Sequence, residues 1–211
     1  AAPPDLLWKV LTGNPAATAP TTVGLVLQGS FKSGDLNVDP AVANANLASM
    51  NMTGKTLGSA PAYNPASGVS LPFREGGVLT GYYHTDRTIP FIYIAPDTPA
   101  QVGGYPLVIF QHGITSRKET MIAVASSLTA QGRAVIAIDL PLHGANRLIT
   151  GIPEIDAKHD EGSEWGNDFM AIGAPLAART NMHQSVVNLN RLELAAVATG
   201  VGVHAVSAKQ G

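Results

Sequence analysis

The apolar positions of this chain fall into two textures that meet near residue 77. Beyond that point, runs rich in β-branched and aromatic residues predict strands, and apolar residues three and four apart predict helices. Val78 to His84 and Thr88 to Ala95 are β-rich, and Thr85-Asp86-Arg87 between them predicts a hairpin turn. Pro106 to Phe110 is a continuous apolar run, of the kind buried on both faces of a parallel sheet. Ser116 and Glu119 have capping-box spacing, Met121, Val124, Ala125 and Leu128 follow at helical spacing, and Gly132 supplies a stop. Arg133 to Asp139 predicts the next buried strand, completing a strand–helix–strand unit with an expected right-handed crossover. Residues 140–179 read as an excursion over one end of the sheet. A second helix is predicted from Asn181 to about Thr199, with Gln184, Asn188 and Arg191 on its polar stripe and Val186, Leu189 and Val197 facing inward. Val201 to Val206 is ambiguous.

Residues 1–70 are rich in Ala, Gly, Pro, Asn, Ser and Thr, and their periodicity is weak. Leu6 to Leu11 and Pro40 to Met50 could form helices, and Val23 to Leu27 a short strand. The expected division is an N-terminal extension over 1–70, wrapped on a main domain over 77–211. Gly54-Lys55-Thr56 has the end of a phosphate-binding loop, but Ser49 stands where that motif needs a glycine, so a surface turn is expected.

Composition narrows the function classes. Of 211 residues, 45% are hydrophobic and 13% charged, enough for a buried core in one domain, with or without a small extension. The net charge is −2 and Lys and Arg nowhere cluster, which argues against nucleic acid as a partner. There is no cysteine, so disulfides, thiolate chemistry and Cys-based zinc sites are excluded. No apolar run approaches the roughly 20 residues of a transmembrane segment. Ala1-Ala2-Pro3-Pro4 reads as a mature or trimmed start, any export signal having gone.

Two kinds of chemistry sit on a strand–helix–strand unit. A dinucleotide-binding fold needs G-x-G-x-x-G after the first strand, and Asp139 would suit the ribose hydroxyl there. The turn here is Gln111-His112-Gly113-Ile114-Thr115-Ser116, with a single glycine, so that reading fails at its most specific point. A buried strand ending in His-Gly, followed by a helix and a second buried strand, instead suits an α/β-hydrolase. There the turn after His-Gly presents a backbone N–H to the oxyanion of an ester's tetrahedral intermediate. Gly113 lets the chain pass close to a substrate, Ile114 N–H is the expected donor, and His112 is expected to order the turn by hydrogen bonding.

Three segments carry a family resemblance: YPLVIFQHGIT at 105–115, AVIAIDLPLHG at 134–144 and ARTNMHQSV at 178–186. Together they resemble the bacterial extracellular, virulence-factor lipases of the α/β-hydrolase superfamily, over roughly residues 77–200. The third segment is what narrows the family. The resemblance implies the N-terminal portion of an α/β-hydrolase fold: an antiparallel hairpin leading into parallel strands with crossover helices, in an incomplete sheet. It also implies a secreted, cell-surface or periplasmic bacterial serine hydrolase acting on acyl esters, lipids in particular, with Ser, acid and His as its triad and no cofactor.

The chain departs from that pattern in one large respect. A G-x-S-x-G elbow would follow the helix at 181–199, yet no such pentapeptide occurs in the sequence. Gly162-Ser163-Glu164-Trp165-Gly166 is one position out of register. The expectation is therefore that this chain supplies the oxyanion-hole half, holds no catalytic triad residue, and is inactive alone. The missing C-terminal half, as a second chain or a cleaved part, would be its partner besides the ester substrate. His143 is read as structural or as site wall, and His183 as a capping or packing residue in a first helical turn. His84 and His204 carry no neighbours that suggest function. Phe169, Met170, Ile172 and Leu176 could line an acyl site or simply pack. Glu154, Asp156, His159, Asp160, Glu161 and Glu164 match no calcium-loop spacing, so no metal site is expected. The alternatives are a short-chain esterase or peptidase of the same fold, or a non-catalytic hydrolase-like fragment used for binding or assembly.

Overall fold

The computed structural model describes residues 4–36, 55–57, 72–82, 84–144, 169–170, 172–173 and 175–199. The helix at 40–50, the run 201–206, the acidic residues 154–164, His159 and His204 lie outside them, as does most of the 140–179 excursion. In chain order the elements are α1 (Pro4–Thr12), β1 (Val23–Asp35), β2 (Lys55–Leu57), β3 (Pro72–Glu75), β4 (Val78–Tyr82), β5 (Thr85–Pro96) and β6 (Leu107–Phe110). A 3-10 turn (Lys118–Met121), α2 (Ile122–Ala130), β7 (Ala134–Ile138) and α3 (Pro175–Thr199) follow.

The main sheet has the order β1-β5-β7-β6, with β1/β5 and β5/β7 antiparallel and β6/β7 parallel. An antiparallel pair thus leads into parallel strands joined through α2, the partial α/β-hydrolase arrangement expected. The pair itself is not the expected hairpin. β4 pairs with β3 in a separate three-stranded sheet, and β5 pairs instead with β1, from Val23↔Pro96 to Asp35↔Thr85. β1 runs 13 residues, far beyond the Val23–Leu27 segment, through Gly29, Ser30, Lys32 and Ser33. Those small and polar residues hide it from an alternation test. Gly29 lies under the Phe91 ring, where an added Cβ would come within 2.5 Å of the aromatic carbons. The aromatic covers what the glycine leaves bare, which offsets the poor strand preference of glycine.

Alternation along β5 divides the core between two faces. Ile92 and Ile94 point with Val26, Val135 and Ala137 toward α1 and α2, where Trp8, Leu11, Met121 and Ala125 close the layer. Ile89, Tyr93 and Ala95 point with Ala134, Ile136 and Ile138 toward Leu192 of α3. β7 is buried at every position, as its central place requires. β6 is not: Leu107 and Ile109 are each 38% exposed, because among the described residues it pairs only with β7 and forms an edge. The expectation of burial on both faces fails there for want of a neighbour. No described helix is long and apolar enough to cross a membrane.

The helices also correct their predicted faces and caps. α2 ends in a Schellman pattern, with Arg133 N–H to Leu128 C=O at 3.1 Å, Gly132 N–H to Thr129 C=O at 2.9 Å, and Gly132 at φ 72. Its buried line is Ala125 and Thr129, following Met121, so Val124 is turned outward. The Ser116/Glu119 capping box does not form. The cap position is Arg117, without a side-chain cap bond, Ser116 Oγ instead donates to Thr120 Oγ1 at 3.3 Å, and Glu119 is drawn inward to Lys118.

α3 starts six residues before Asn181 and is rotated relative to its apolar pattern. Gln184 and Asn188 are buried, whereas Val186 and Val197 are 57% and 78% exposed. Gln184 and Asn188 face in because β1 offers them partners, while Arg191 stays exposed and Leu189 packs on the core as expected. Gln184 donates to Gly34 C=O at 2.8 Å and accepts from Leu36 N–H at 2.5 Å, and Ser33 Oγ donates to Asn188 Oδ1 at 2.8 Å. Satisfied amides at the end of β1 outweigh a valine stripe that periodicity alone would bury. His183 lies beyond the first turn of α3 and is exposed.

Tyr93 is fully buried and its hydroxyl has no hydrogen-bond partner among the described residues. Burial pushes its phenol pKa upward, because the phenolate would be stranded from water, and Tyr105 adds to the shift. Deleting the hydroxyl removes an unpaid desolvation, so Tyr93→Phe is expected to stabilise the fold by about 1 kcal/mol, roughly 2–4 °C in Tm. A lowered Tm in differential scanning calorimetry would mean the hydroxyl has a partner.

Candidate active site

The parallel strands β6 and β7 deliver their C-terminal loops, 111–117 and 139–144, to the same edge of the sheet, where open α/β sheets bind ligands. Each loop contains a tight turn with a left-handed third residue. In the first, Ser116 N–H bonds Gly113 C=O at 3.2 Å with Thr115 at φ 67; in the second, His143 N–H bonds Leu140 C=O at 3.1 Å with Leu142 at φ 59. A negative φ at Ile114 and Pro141 followed by a positive φ is the type II pattern, and it normally selects glycine or asparagine third. Threonine and leucine there hold strain of about 1–2 kcal/mol each.

His112 ties the two loops together. It is 3% exposed; its Nε2 accepts the Leu140 N–H at 3.0 Å, and its Nδ1 lies 2.7 Å from Gly113 C=O. An acceptor at Nε2 and a carbonyl facing Nδ1 together assign the neutral Nδ1–H tautomer. Asp139 Oδ1 lies 3.6 Å from Nε2, too far to compete with the Leu140 amide for a hydrogen bond. The Gly113 carbonyl therefore accepts from both His112 and Ser116. No peptide bond is cis, so the planar trans Gly113–Ile114 unit sends the Ile114 N–H in the opposite sense, away from the imidazole. The Ile114 N–H makes no backbone hydrogen bond among the described residues, and the Ile114 side chain is 45% exposed.

Behind this turn lies a buried ionic cluster that sequence reading missed. Lys118, Glu119 and Asp139 are all at most 6% exposed. Lys118 Nζ donates to Asp139 Oδ2 at 2.6 Å and stands 3.1 Å from Glu119 Oε1, while Lys118 N–H donates to Asp139 Oδ1 at 2.8 Å. Burial pushes the Asp139 carboxyl up, but the Lys118 ammonium and its hydrogen bonds more than offset this and hold it below the usual 3.8. For Lys118 burial acts downward, and the charges of Asp139 and Glu119 leave it above 10.5. Gly144, at φ 84, makes room for the carboxylate: a Cβ there would collide with Asp139 Oδ2. The pair forms because parallel pairing puts the residue after β7 beside the helix start after β6, a juxtaposition no local pattern shows. Asp139 suggested a ribose contact, and Lys118 gave no cue by itself.

A cleft of about 500 Å³ opens between the Gln111–Ile114 turn and α3. Leu140, Phe169, Met182, Val186 and Leu189 line it, so the valine that turns outward on α3 faces this space. The volume and apolar wall suit a small-molecule or acyl site. Of the residues read as acyl-site candidates, Phe169 is in the wall, Met170 and Ile172 are 39% and 92% exposed, and the Leu176 side chain lies outside the described set. His143 is buried beside Phe169 and His112, ring centroids 5.3 and 5.0 Å away, with Nδ1 2.8 Å from Pro141 C=O. Ser185 also lines the cleft, but its hydroxyl is committed to Asn181 C=O at 2.9 Å. His84 is exposed, its ring packed against Gly34. Among the described residues no three His, Asp or Glu side chains converge to hold a metal.

No protein-family model matches the chain, and no curated protein does. Among solved structures it is similar to a PEG-bound complex of a novel cold-adapted esterase from an Arctic intertidal metagenomic library. That likeness has 22% identity and a TM-score of 0.25, and covers 57% of this chain and 51% of that one. It is also similar to an acetyl xylan esterase from Paenibacillus sp. R4, at 17% identity and a TM-score of 0.22, over 48% of this chain and 29% of that one. The chain thus spans about half the length of the first esterase and under a third of the second.

Proposed function

We propose that this chain contributes the oxyanion-hole half of a serine hydrolase acting on carboxylic esters, with lipid acyl esters as the substrate class. The observation that carries the reading is the Gly113–Ile114 peptide, whose carbonyl is held by His112 and Ser116 while its N–H, anti to that carbonyl, makes no backbone hydrogen bond among the described residues. A preorganised amide of this kind stabilises the charge that develops on the carbonyl oxygen of an ester under attack. In the proposed chemistry the ester carbonyl oxygen sits over Ile114 N–H, and the acyl chain runs along Leu140, Phe169 and Val186.

The serine, its acid and its base come from sequence outside these 211 residues, the serine at the end of a strand that pairs with the outer edge of β6. Two observations support that placement: no G-x-S-x-G occurs here, and β6 has no partner on that side among the described residues. Edges of this kind recruit strands. Peptide or short-chain ester substrates would use the same half-site, and an acyl-chain-length series separates them from lipid.

The test is fluorophosphonate labelling of the purified protein, with intact mass of every polypeptide and peptide mapping of the label. The reading expects one labelled serine outside residues 1–211. A label on any serine within residues 1–211, or no label on material that hydrolyses esters, would defeat it.

A further inference from the structure

We infer that Asp139 and Lys118 are positioning residues for the proposed oxyanion turn, which they hold through a backbone cap as well as an ion pair. The inference rests on the reading of Ile114 N–H as the oxyanion donor. Residues 111–117 form a seven-residue bridge between β6 and the 3-10 turn, and both ends of the bridge are tied to the loop that follows β7. At the upstream end, His112 accepts the Leu140 N–H and bonds the Gly113 carbonyl. At the downstream end, Asp139 Oδ1 accepts the Lys118 N–H at 2.8 Å, the first amide of the 3-10 turn, which has no side-chain cap of its own. A carboxylate from the loop after the neighbouring strand thus does what the Ser116 hydroxyl does not.

The cluster has a division of labour. Asp139 must be ionised and buried to cap that amide, and an isolated buried carboxylate would be costly. Lys118 Nζ, 2.6 Å from Oδ2, supplies the counter-charge from the very residue whose amide is capped. Gly144 leaves the space that the carboxylate occupies. Adjacent residues of the loop after β7, Asp139 and Leu140, therefore fix the two ends of the donor loop, and a shift of either end would rotate the Ile114 amide.

Two double variants, each free of buried charge in the pair, separate this from a packing role. Lys118→Met with Asp139→Asn keeps an oxygen for the Lys118-position amide. Lys118→Met with Asp139→Leu removes it; both pairs take the Lys118 ammonium from Glu119 alike, so the difference between them reads the cap. Amide hydrogen exchange at residues 114–118 is expected to be about tenfold faster in the leucine pair than in the asparagine pair, the scale of one lost hydrogen bond. With the complete enzyme, kcat for a short-chain ester is expected to be about tenfold lower in the leucine pair at similar KM. Equal exchange and equal kcat in the two pairs would overturn the inference. If the unmodified protein hydrolyses no ester, the functional reading fails, while the exchange comparison still decides whether Asp139 caps the turn.

Discussion

In the complete enzyme, Ile114→Pro is expected to lower kcat toward a short-chain ester by about 10²–10³-fold, the effect of losing the proposed oxyanion donor, with KM little changed. Proline is an unusually clean probe at this position. Ile114 is the second residue of a type II-like turn, closed by Ser116 N–H to Gly113 C=O and followed by Thr115 at φ 67. Proline favours that place, and Gly113 before it accepts the extended backbone that proline imposes. The substitution thus deletes the N–H and leaves the turn standing. Ile114→Ala, which keeps the amide and trims a side chain 45% exposed, is expected to cost far less in kcat. Steady-state kinetics on both variants, with Tm measured alongside, decides it. Equal losses in the two would mean the side chain matters and the amide does not.

Asp139→Ala is expected to destabilise the fold by about 3–5 kcal/mol, because Lys118 would be left as an uncompensated buried cation. Lys118 is 4% exposed and reaches water poorly, and Glu119, 3.1 Å away, replaces only part of the lost partner. Lys118→Met is expected to cost a similar amount, and the double variant less than the sum, a coupling that urea titration reads directly. The pair also predicts a pH profile. The Asp139 pKa is lowered in the folded protein, so its contribution is present above about 3.8 and is lost as pH falls through the folded value. The Lys118 pKa is raised, so its contribution is complete below 10.5 and is lost as pH rises through the folded value. Acid unfolding that is as steep in the double variant as in the parent would argue that other groups control it.

How much of this was legible in the sequence depends on what held each element. β7, α1 and the Gly132 stop follow from local apolar runs and one turn residue, and they stand as read. β1 was legible only in its first residues, since its last half owes its place to Phe91 covering Gly29 and to Gln184 and Asn188 bonding Ser33 and Gly34. Those partners are some 60 and 150 residues away, beyond any local pattern. For the same reason the rotation of α3 was misread: an amphipathic pattern ranks valine above glutamine for burial unless a partner strand is known. At the site, Phe110-Gln111-His112-Gly113 pointed to a special turn, and Gly113 and Ile114 do sit at the strand end beside the cleft. What sequence could not supply was the direction of the Ile114 amide, which depends on His112 bonding across to Leu140. The ion pair was hidden because Lys118 and Asp139 meet only through parallel pairing of β6 with β7.

The most direct measurement is a crystal structure of the phosphonylated complete enzyme. The distance from Ile114 N to the phosphonyl oxygen that stands in for the oxyanion is expected to be about 2.7–3.1 Å, with the Gly113 carbonyl still on His112 Nδ1. A phosphonyl oxygen held by other donors, or a Gly113–Ile114 peptide turned the other way in the adduct, would contradict the account.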